Sequence, residues 1–174
     1  MQSTTHDSNA IWQQCYLGLG SNLSNELGNP KQHIAQAIAQ LKAHPHIRHI
    51  QVSSLYSSKP MGPQDQPDFI NAVVGLETTL EPLQLLDTCQ QLEQNAQRQR
   101  LRHWGERSLD VDILLYGEQH IQLPTLTIPH AGINQRNFVL VPLAELNPKL
   151  IIHGKSIEQY PMSHDYTGLR KLPT

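Results

Sequence analysis

The sequence predicts an α+β domain in which two helices cover one face of an antiparallel sheet. Several short runs alternate apolar and polar residues with a period of two, as half-buried strands do. Two longer stretches, which begin at Pro30 and Pro82, repeat apolar residues at helical spacing. The segments follow one another in the order β-α-β-β-α-β, which is typical of the ferredoxin-like fold.

The first half of the chain contains one predicted helix between two predicted strands. Residues 15–20 (CYLGLG) are predicted to form a buried strand that opens into a polar turn. Asn29 is a predicted N-cap, and the helix that follows is expected to end near Pro45. Residues 47–56 then alternate apolar and polar side chains, which predicts a second strand.

The second half begins with a long polar loop, where functional residues are often found. This loop, residues 57–67, is rich in proline and precedes a strand predicted at 69–79. Pro82 begins the second helix, and residues 109–116 (LDVDILLY) are predicted to form the fourth strand. A brief last helix is expected at 138–146.

The length of 174 residues is sufficient for one sizeable core. We expect a single domain at residues 14–160, with loosely held segments at 1–13 and 161–174. Cys15 and Cys89 have no disulfide or metal-site spacing, so both are expected to be reduced and buried.

Composition excludes several classes of partner. The formal net charge of -2 gives no cationic surplus for nucleic acid. No apolar run is long enough to span a membrane, and the first residues lack the pattern of a secretion signal. We therefore expect a cytoplasmic protein that binds neither nucleic acid nor membrane.

A pair of aspartates interrupts the fourth strand. Asp110 and Asp112 are two residues apart, so both side chains point to the same side, with β-carbons about 7 Å apart. The opposite side is predicted to face the core with an apolar set: Leu109, Val111, Ile113 and Leu115. Aspartate is a poor strand former, and paired carboxylates suit a hard divalent cation. The pattern predicts a metal site.

An arginine-rich segment precedes this strand. Four of the seven arginines lie within ten residues, beside His103 and Trp104: Arg98, Arg100, Arg102 and Arg107. Guanidinium groups bind phosphate oxygens through paired hydrogen bonds. Glycine-rich phosphate loops of the two common types are absent from the sequence. The predicted site therefore binds a nucleotide and magnesium mainly through side chains.

The segment HWGERSLDVDIL, preceded by RQRLR, resembles the signature of the 6-hydroxymethyl-7,8-dihydropterin pyrophosphokinase family. Three further segments match the family in order and spacing: YLGLGSNL, SKPMGPQDQPDFIN and IPHAGINQRNF. The resemblance covers the chain from Tyr16 to about Pro148. It implies a ferredoxin-like fold with ATP and pterin side by side, and pyrophosphate transfer from ATP to the pterin.

The resemblance also implies the ATP and metal residues. Asp110 and Asp112 match the positions that hold two Mg²⁺ ions, and Arg107 and Arg100 are implied to be catalytic. The positions implied to bind ATP are Gln90, Glu93, Arg100, Trp104, Arg107, Ile113, Thr127, His130 and Arg136. The resemblance assigns no general base.

The implied pterin site is on the other matched segments. Phe69 and Phe138 match two rings that sandwich the pterin, and Asn71 matches a side chain that hydrogen-bonds its edge. The remaining implied contacts are Ser58, Lys59 and Met61. We expect a monomer with ATP and a reduced pterin as its small-molecule partners.

Three alternatives remain open. The same element order occurs in RNA-recognition modules, although the chain has few aromatics and a negative net charge. A nucleotidyl transferase could also use two metals and a pair of aspartates. A degenerate relative could bind pterin without catalysing a reaction.

Overall fold

The computed structural model describes residues 10–98 and 105–173, which contain three α-helices and ten strands. The strands are β1 (Gln13–Ser21), β2 (Ile47–Val52), β3 (Tyr56–Ser58), β4 (Phe69–Thr78), β5 (Asp110–Tyr116), β6 (Ile121–Leu123), β7 (Leu126–Ile128), β8 (Ile151–Ile152), β9 (Lys155–Ser156) and β10 (Leu169–Lys171). The helices are α1 (Pro30–Lys42), α2 (Pro82–Asn95) and α3 (Asn137–Leu146). The predicted α+β class is confirmed.

Four strands form the sheet that the sequence predicts. Their order is β5-β1-β4-β2, and every neighbouring pair is antiparallel. This is the order expected of a ferredoxin-like sheet built from two β-α-β units. Strands β3 and β10 extend the sheet beyond β4 at one end. β1 therefore lies between β4 and β5.

The first face of the sheet is covered by α1 and α2. Asn29 caps α1 through a capping box with Gln32, as the sequence predicted for its N-cap. Cys15 and Cys89 lie in this core and are fully buried. Burial raises the pKa of the Cys15 thiol to about 12 and also raises that of Cys89. Both cysteines therefore stay protonated and act as small apolar side chains, as predicted.

The second face carries α3 and the C-terminal segment. Val139, Leu140 and Leu143 of α3 pack against Val73 and Leu114 of the sheet. The brief last helix is thus confirmed, and it lies on the opposite face from α1 and α2. No helix in the described ranges combines the length and apolar character needed to cross a membrane.

A β-bulge changes the side-chain alternation of β5. Leu109, Val111 and Ile113 face the first core as predicted, but Leu115 packs in the second core instead. The register between β1 and β5 shifts between Tyr16 and Leu17, so an extra residue enters β5. The prediction that Leu115 faces the first core was therefore wrong. Asp110 and Asp112 precede the bulge, so it does not change their shared direction.

The predicted second strand is divided into β2 and β3. At the break, Ser53 donates its main-chain N–H to Val73 O at 2.9 Å. Its hydroxyl oxygen accepts the Val73 N–H at 2.9 Å. One residue thus occupies both hydrogen-bonding groups of Val73, and the chain bends there. The prediction of one continuous strand over 47–56 was wrong.

The C-terminal segment is packed on the sheet in the described residues. β10 pairs antiparallel with β3, and Leu169 and Leu172 are buried. The sequence pattern instead predicts a loosely held segment from 161 onward. The strand has only three residues, so its period-two pattern is too short to recognise.

Candidate active site

The floor of the candidate site is formed by β4, β1 and β5. Asn71 of β4 pairs with Gly20 of β1, which pairs in turn with Asp110 of β5. Gly18 lies in the same way between Val73 and Asp112. Strands are about 4.8 Å apart, so the predicted pterin residue and the predicted metal residue are separated by about 10 Å.

Gly20 keeps this floor open. A β-carbon at this position would lie 3.2 Å from Asn71 Oδ1 and 3.7 Å from Phe69 Cδ1. A glycine within a strand weakens the strand unless another group must approach closely. The approaching group here is the Asn71 side chain, so Gly20 leaves the space between the two predicted binding regions clear.

A pocket of about 770 Å³, including its open mouth, lies above this floor. Ten residues predicted to bind pterin, ATP or metal line it together: Ser58, Lys59, Met61, Phe69, Asn71, Arg107, Asp110, Asp112, Arg136 and Phe138. An open recess lined by apolar and aromatic side chains with a few polar groups is typical of small-molecule sites. These ten residues come from segments far apart in the sequence.

The acidic end of the pocket differs between its two aspartates. Asp110 Oδ1 lies 3.2 Å from Arg98 Nη2 and 3.4 Å from Arg107 Nη1. The Asp112 side chain is 49% exposed, and its Oδ2 lies 4.0 Å from His130 Nε2. The two carboxylates and the two guanidinium groups form one mixed cluster of opposite charges.

Glu93 supports this cluster from behind the strand. Its Oε2 accepts the Val111 main-chain N–H at 2.9 Å, and its Oε1 accepts from Arg98 Nη1 at 2.9 Å. Burial raises the pKa of the Glu93 carboxyl, while these two partners oppose the rise. Val111 lies between the two aspartates, so Glu93 fixes the part of β5 that presents them.

His130 is held in one tautomer by its own loop. The Gly132 N–H donates to His130 Nδ1 at 3.1 Å, so a neutral imidazole carries its proton on Nε2. Burial lowers the pKa of His130; Asp112 opposes the shift and Arg136 adds to it. The neutral form is therefore favoured, with an Nε2–H donor close to Asp112.

The aromatic end of the pocket contains Phe69 and Phe138, which are both partly buried. Asn71 Nδ2 donates to the Ser58 hydroxyl at 2.6 Å, which leaves the Asn71 carbonyl oxygen pointing toward Gly20. The Arg136 guanidinium lies 5.9 Å from the centre of the Phe138 ring. Two rings and an amide can hold a flat heterocycle with a polar edge.

Asn22 joins the loops on the two sides of the pocket. Its Nδ2 donates to Gln66 Oε1 and to Pro67 O, both at 2.9 Å. Its Oδ1 accepts the Arg107 N–H at 2.8 Å, and its own N–H donates to Arg107 O at 2.9 Å. Asn22 is almost fully buried. It therefore ties the loop that leads to Phe69 to the loop that carries Arg107.

Comparison with known proteins identifies the family. The model of the 7,8-dihydro-6-hydroxymethylpterin-pyrophosphokinase (HPPK) family matches residues 16–148. This chain belongs to the HPPK family. The match has nearly the bounds that the sequence resemblance predicted, and it covers all the lining residues named above.

Curated relatives of HPPK type support this assignment over most of their length. A 2-amino-4-hydroxy-6-hydroxymethyldihydropteridine pyrophosphokinase from Haemophilus influenzae is 50% identical over 143 residues, which cover 82% of this chain and 86% of the relative. One of the same name from Pseudomonas aeruginosa is 43% identical, and the match covers 92% of this chain and 98% of the relative.

A solved structure supports the fold. The chain superimposes on wild-type Plasmodium falciparum HPPK-DHPS with pterin and p-hydroxybenzoate at a TM-score of 0.67 and 14% identity. The match covers 95% of this chain and 47% of that chain. The chain therefore spans about half the length of this longer protein.

Five other predicted HPPK site residues are described, and they lie outside the pocket lining. His130 adjoins it through Asp112, Glu93 supports it, and Gln90 is exposed on α2. The Ile113 side chain is buried in the first core, and Thr127 is exposed on β7. Any contact of Ile113 with a nucleotide on the pocket side would have to use its main chain. Arg100 and Trp104 lie outside the described residues.

Sequence reasoning did not assign roles to Gly20 and Asn22. Both lie in the segment YLGLGSNL, which predicts a strand and a turn and carries part of the resemblance. Two glycines within the nine-residue strand β1 were the available signal, because glycine weakens a strand interior. The hydrogen bonds of Asn22 had no such signal, since its partners lie 44, 45 and 85 positions away.

Proposed function

We propose that this chain transfers pyrophosphate from ATP to the hydroxymethyl group of 6-hydroxymethyl-7,8-dihydropterin in folate biosynthesis, with release of AMP. The supporting observation is one pocket that has Phe69, Asn71 and Phe138 at one end and Asp110 and Asp112 at the other. Its two ends suit a flat heterocycle and a metal-bound polyphosphate, respectively.

The proposed reaction is a displacement at phosphorus. The pterin hydroxymethyl oxygen forms a bond to the β-phosphorus of ATP, and the bond from that phosphorus to the oxygen bridging the α- and β-phosphates breaks. AMP leaves with the bridging oxygen, and the hydroxymethyl proton is released. The two groups of residues are about 10 Å apart across the floor, which supports separate positions for the pterin and the polyphosphate within one pocket.

Asp110 and Asp112 would hold two Mg²⁺ ions. Their oxygens are hard ligands on one strand face, and the Asp112 side chain is half exposed to the pocket. No group of three or more His, Cys, Asp or Glu side chains that could hold a metal occurs among the described residues. A site with only these two carboxylates fits magnesium, which keeps water and substrate phosphates as its other ligands. Bound magnesium would neutralise phosphate charge and orient the two reacting groups.

The basic residues would bind the phosphates. Arg107 and Arg136 line the pocket and can donate to phosphate oxygens through paired N–H groups. His130 would donate from Nε2, because its Nδ1 already accepts from Gly132. In this arrangement neutral His130 would donate to a phosphate and would not act as a general base. Arg100 would complete this set as a catalytic residue.

The remaining predicted contacts also divide between the pterin and the nucleotide. Ser58, Lys59 and Met61 would surround the pterin with main-chain and side-chain groups beside Asn71. Gln90, Glu93, Trp104, Ile113 and Thr127 would belong to the nucleotide side.

We propose a cytoplasmic monomer as the active form. The described lining residues bring the implied pterin and metal positions together within one chain, which supports this proposal. Light scattering of the purified protein at micromolar concentration, with and without ligands, would test this state.

The decisive experiment incubates the protein with ATP, Mg²⁺ and 6-hydroxymethyl-7,8-dihydropterin, and separates the products by chromatography. The proposal requires AMP and pterin diphosphate in equal amounts, and no product with EDTA. Release of pyrophosphate would instead indicate a nucleotidyl transferase. Pterin binding without AMP formation would indicate a relative that has lost its activity.

A further inference from the structure

The C-terminal segment contacts one wall of the pterin end of the pocket. Leu169 of β10 pairs with Ser58, and the Lys59 N–H donates to Gly168 O at 3.3 Å. At the other end of β3, the Leu172 N–H donates to Leu55 O at 2.9 Å. Ser58 and Lys59 are both lining residues. This wall therefore takes its position partly from residues 168–172.

The same segment contacts the opposite wall through one side chain. Asn137 Nδ2 donates to Asp165 O at 2.8 Å and to Thr167 O at 2.9 Å. Asn137 is the first residue of α3 and precedes Phe138, which lines the pocket. Both hydrogen-bonding protons of one amide are thus used to fix the start of α3.

The segment between the two walls is a turn closed by its own side chain. Asp165 Oδ1 accepts the Thr167 N–H at 2.8 Å, and Gly168 follows with a φ of +66°, which favours glycine. The Leu169 N–H donates to Tyr166 O at 3.0 Å. Residues 165–169 therefore form a short, internally bonded link between Ser58 on one side and Phe138 on the other.

We infer that Asn137 is a positioning residue for the pterin, and that residues 165–169 set the separation of the two pocket walls. The inference rests on the proposed function. Phe138 must lie at a fixed distance from Phe69 for a flat ring to stack between them. Release of the start of α3 widens or misaligns this gap. It can also shift Arg136, the residue before Asn137, but it leaves Arg107, Asp110 and Asp112 in place because they lie on β5 and the loop before it. Binding of the pterin therefore depends on Asn137 more strongly than binding of ATP does.

The first test is Asn137→Asp, a substitution of almost the same shape. The new carboxylate loses both N–H donors and faces the carbonyl oxygens of Asp165 and Thr167, which repel it. We expect the Kd of the pterin to rise about tenfold, consistent with the loss of two hydrogen bonds. It is measured by pterin fluorescence with Mg²⁺ and a non-hydrolysable ATP analogue. The Kd of the ATP analogue, measured with Mg²⁺ and without pterin, should rise clearly less than that of the pterin, since Arg136 is the only one of its proposed contacts that adjoins Asn137.

Asn147→Asp is the matched control, since Asn147 follows the other end of the same helix and lies outside the pocket lining. It should leave the pterin Kd unchanged. Equal weakening of pterin and ATP binding in Asn137→Asp, or the same effect in the control, would indicate a general loss of stability and overturn the inference.

A second pair of variants acts on the turn at a partly exposed residue and avoids the helix. Asp165→Ala removes the acceptor of the Thr167 N–H, whereas Asp165→Asn retains an acceptor oxygen. We expect weaker pterin binding in the first variant and recovery in the second. Wild-type affinity in both Asp165→Ala and Asn137→Asp would refute the positioning role. Failure of the wild-type protein to bind pterin or form AMP would refute the proposed function instead, and this outcome is visible before any variant is made.

Discussion

Asp110 and Asp112 have the same orientation on β5 but different surroundings. Asp110 contacts Arg98 and Arg107, whereas Asp112 is half exposed and has only His130 nearby among its ion-pair contacts between described residues. Removal of the Asp112 charge therefore disturbs few contacts within the protein. Its principal loss would be a ligand for the proposed magnesium ions.

The Asp112→Asn variant should thus lose activity while it stays folded. We expect kcat to fall by at least about a hundredfold, because charge stabilisation at the transferred group is lost. Steady-state AMP formation measures this change, and urea unfolding should agree with wild type within about 0.5 kcal/mol. Glu118→Gln, an exposed carboxylate just beyond the same strand, serves as the control. Retention of more than a tenth of wild-type kcat would remove Asp112 from the metal site.

Variants of Asn22 can test its hydrogen bonds to Gln66 and Pro67 separately from its hydrogen bond to Arg107. Asn22→Asp keeps the oxygen that accepts from Arg107 N but loses both donors to Gln66 and Pro67. Asn22→Ala loses all three side-chain hydrogen bonds and keeps only the main-chain bond from Asn22 N–H to Arg107 O. We expect the first variant mainly to raise the KM for pterin, and the second also to lower kcat because the Arg107 loop is held by fewer hydrogen bonds. Each should cost about 1–3 kcal/mol of unfolding free energy, since buried partners lose their hydrogen bonds.

Steady-state kinetics with each substrate varied in turn, together with urea unfolding, measures these effects. Asn95→Ala on exposed helix surface is the control. Identical kinetic profiles for the two Asn22 variants would contradict the separation.

At the scale of elements, α3 is joined to the strand region before β3 by Glu145. Its Oε1 accepts from Tyr56 Oη at 2.6 Å, and its Oε2 accepts from the Ser54 N–H and hydroxyl at 2.9 Å each. Burial alone would raise the pKa of Glu145, but these hydrogen bonds together hold it below its ordinary value. The ionised carboxylate thus helps to hold α3 on the sheet.

This pKa shift predicts how stability depends on pH. A carboxyl whose pKa is lower in the folded than in the unfolded state stabilises the fold above the unfolded pKa, and that stabilisation is lost as pH falls through the folded pKa. Glu145 is exposed, so solvent screens this stabilisation. Glu145→Gln should therefore cost only about 0.5 kcal/mol at pH 7, and the difference from wild type should shrink below about pH 4. Urea unfolding across this range measures it, with exposed Glu26→Gln as the control. A difference that is constant with pH would show that the charge is not involved.

The elements that the sequence predicted are those whose signals are local. The caps and first prolines of α1 and α2 involve contacts within four residues, so Asn29 and Pro82 indicated both helix starts. The missed features depend on distant partners. The bulge in β5 arises from its register with β1, and the division at Ser53 depends on Val73 of another strand. No local pattern reports a hydrogen bond to a strand twenty residues away.

The candidate site, like the fold, could be predicted only in part. The spacing of Asp110 and Asp112 indicated a shared direction, and the resemblance supplied Phe69, Asn71 and Phe138, which line the same pocket. The link at residues 165–169 was not predictable, because the hydrogen bonds from Asn137 are accepted by main-chain oxygens that any residue provides. Side-chain chemistry is visible in a sequence, whereas the pairing of main-chain groups requires the fold.

At the scale of the whole molecule, a ligand that binds only the folded chain stabilises the fold. With Mg²⁺ and a non-hydrolysable ATP analogue at a hundred times its Kd, the gain should be about 2.7 kcal/mol. For a chain of this length, such a gain raises Tm by about 5–10 °C.

EDTA should abolish most of this shift in Tm, because a triphosphate without metal would be repelled by Asp110 and Asp112. Asp112→Asn should show a smaller shift with Mg²⁺ and a smaller loss with EDTA, since one of the two opposed charges is gone. A scanning calorimetry series over the two proteins and both conditions therefore measures the coupling between metal and nucleotide. An equal Tm shift in all four cases would place the nucleotide away from the two aspartates.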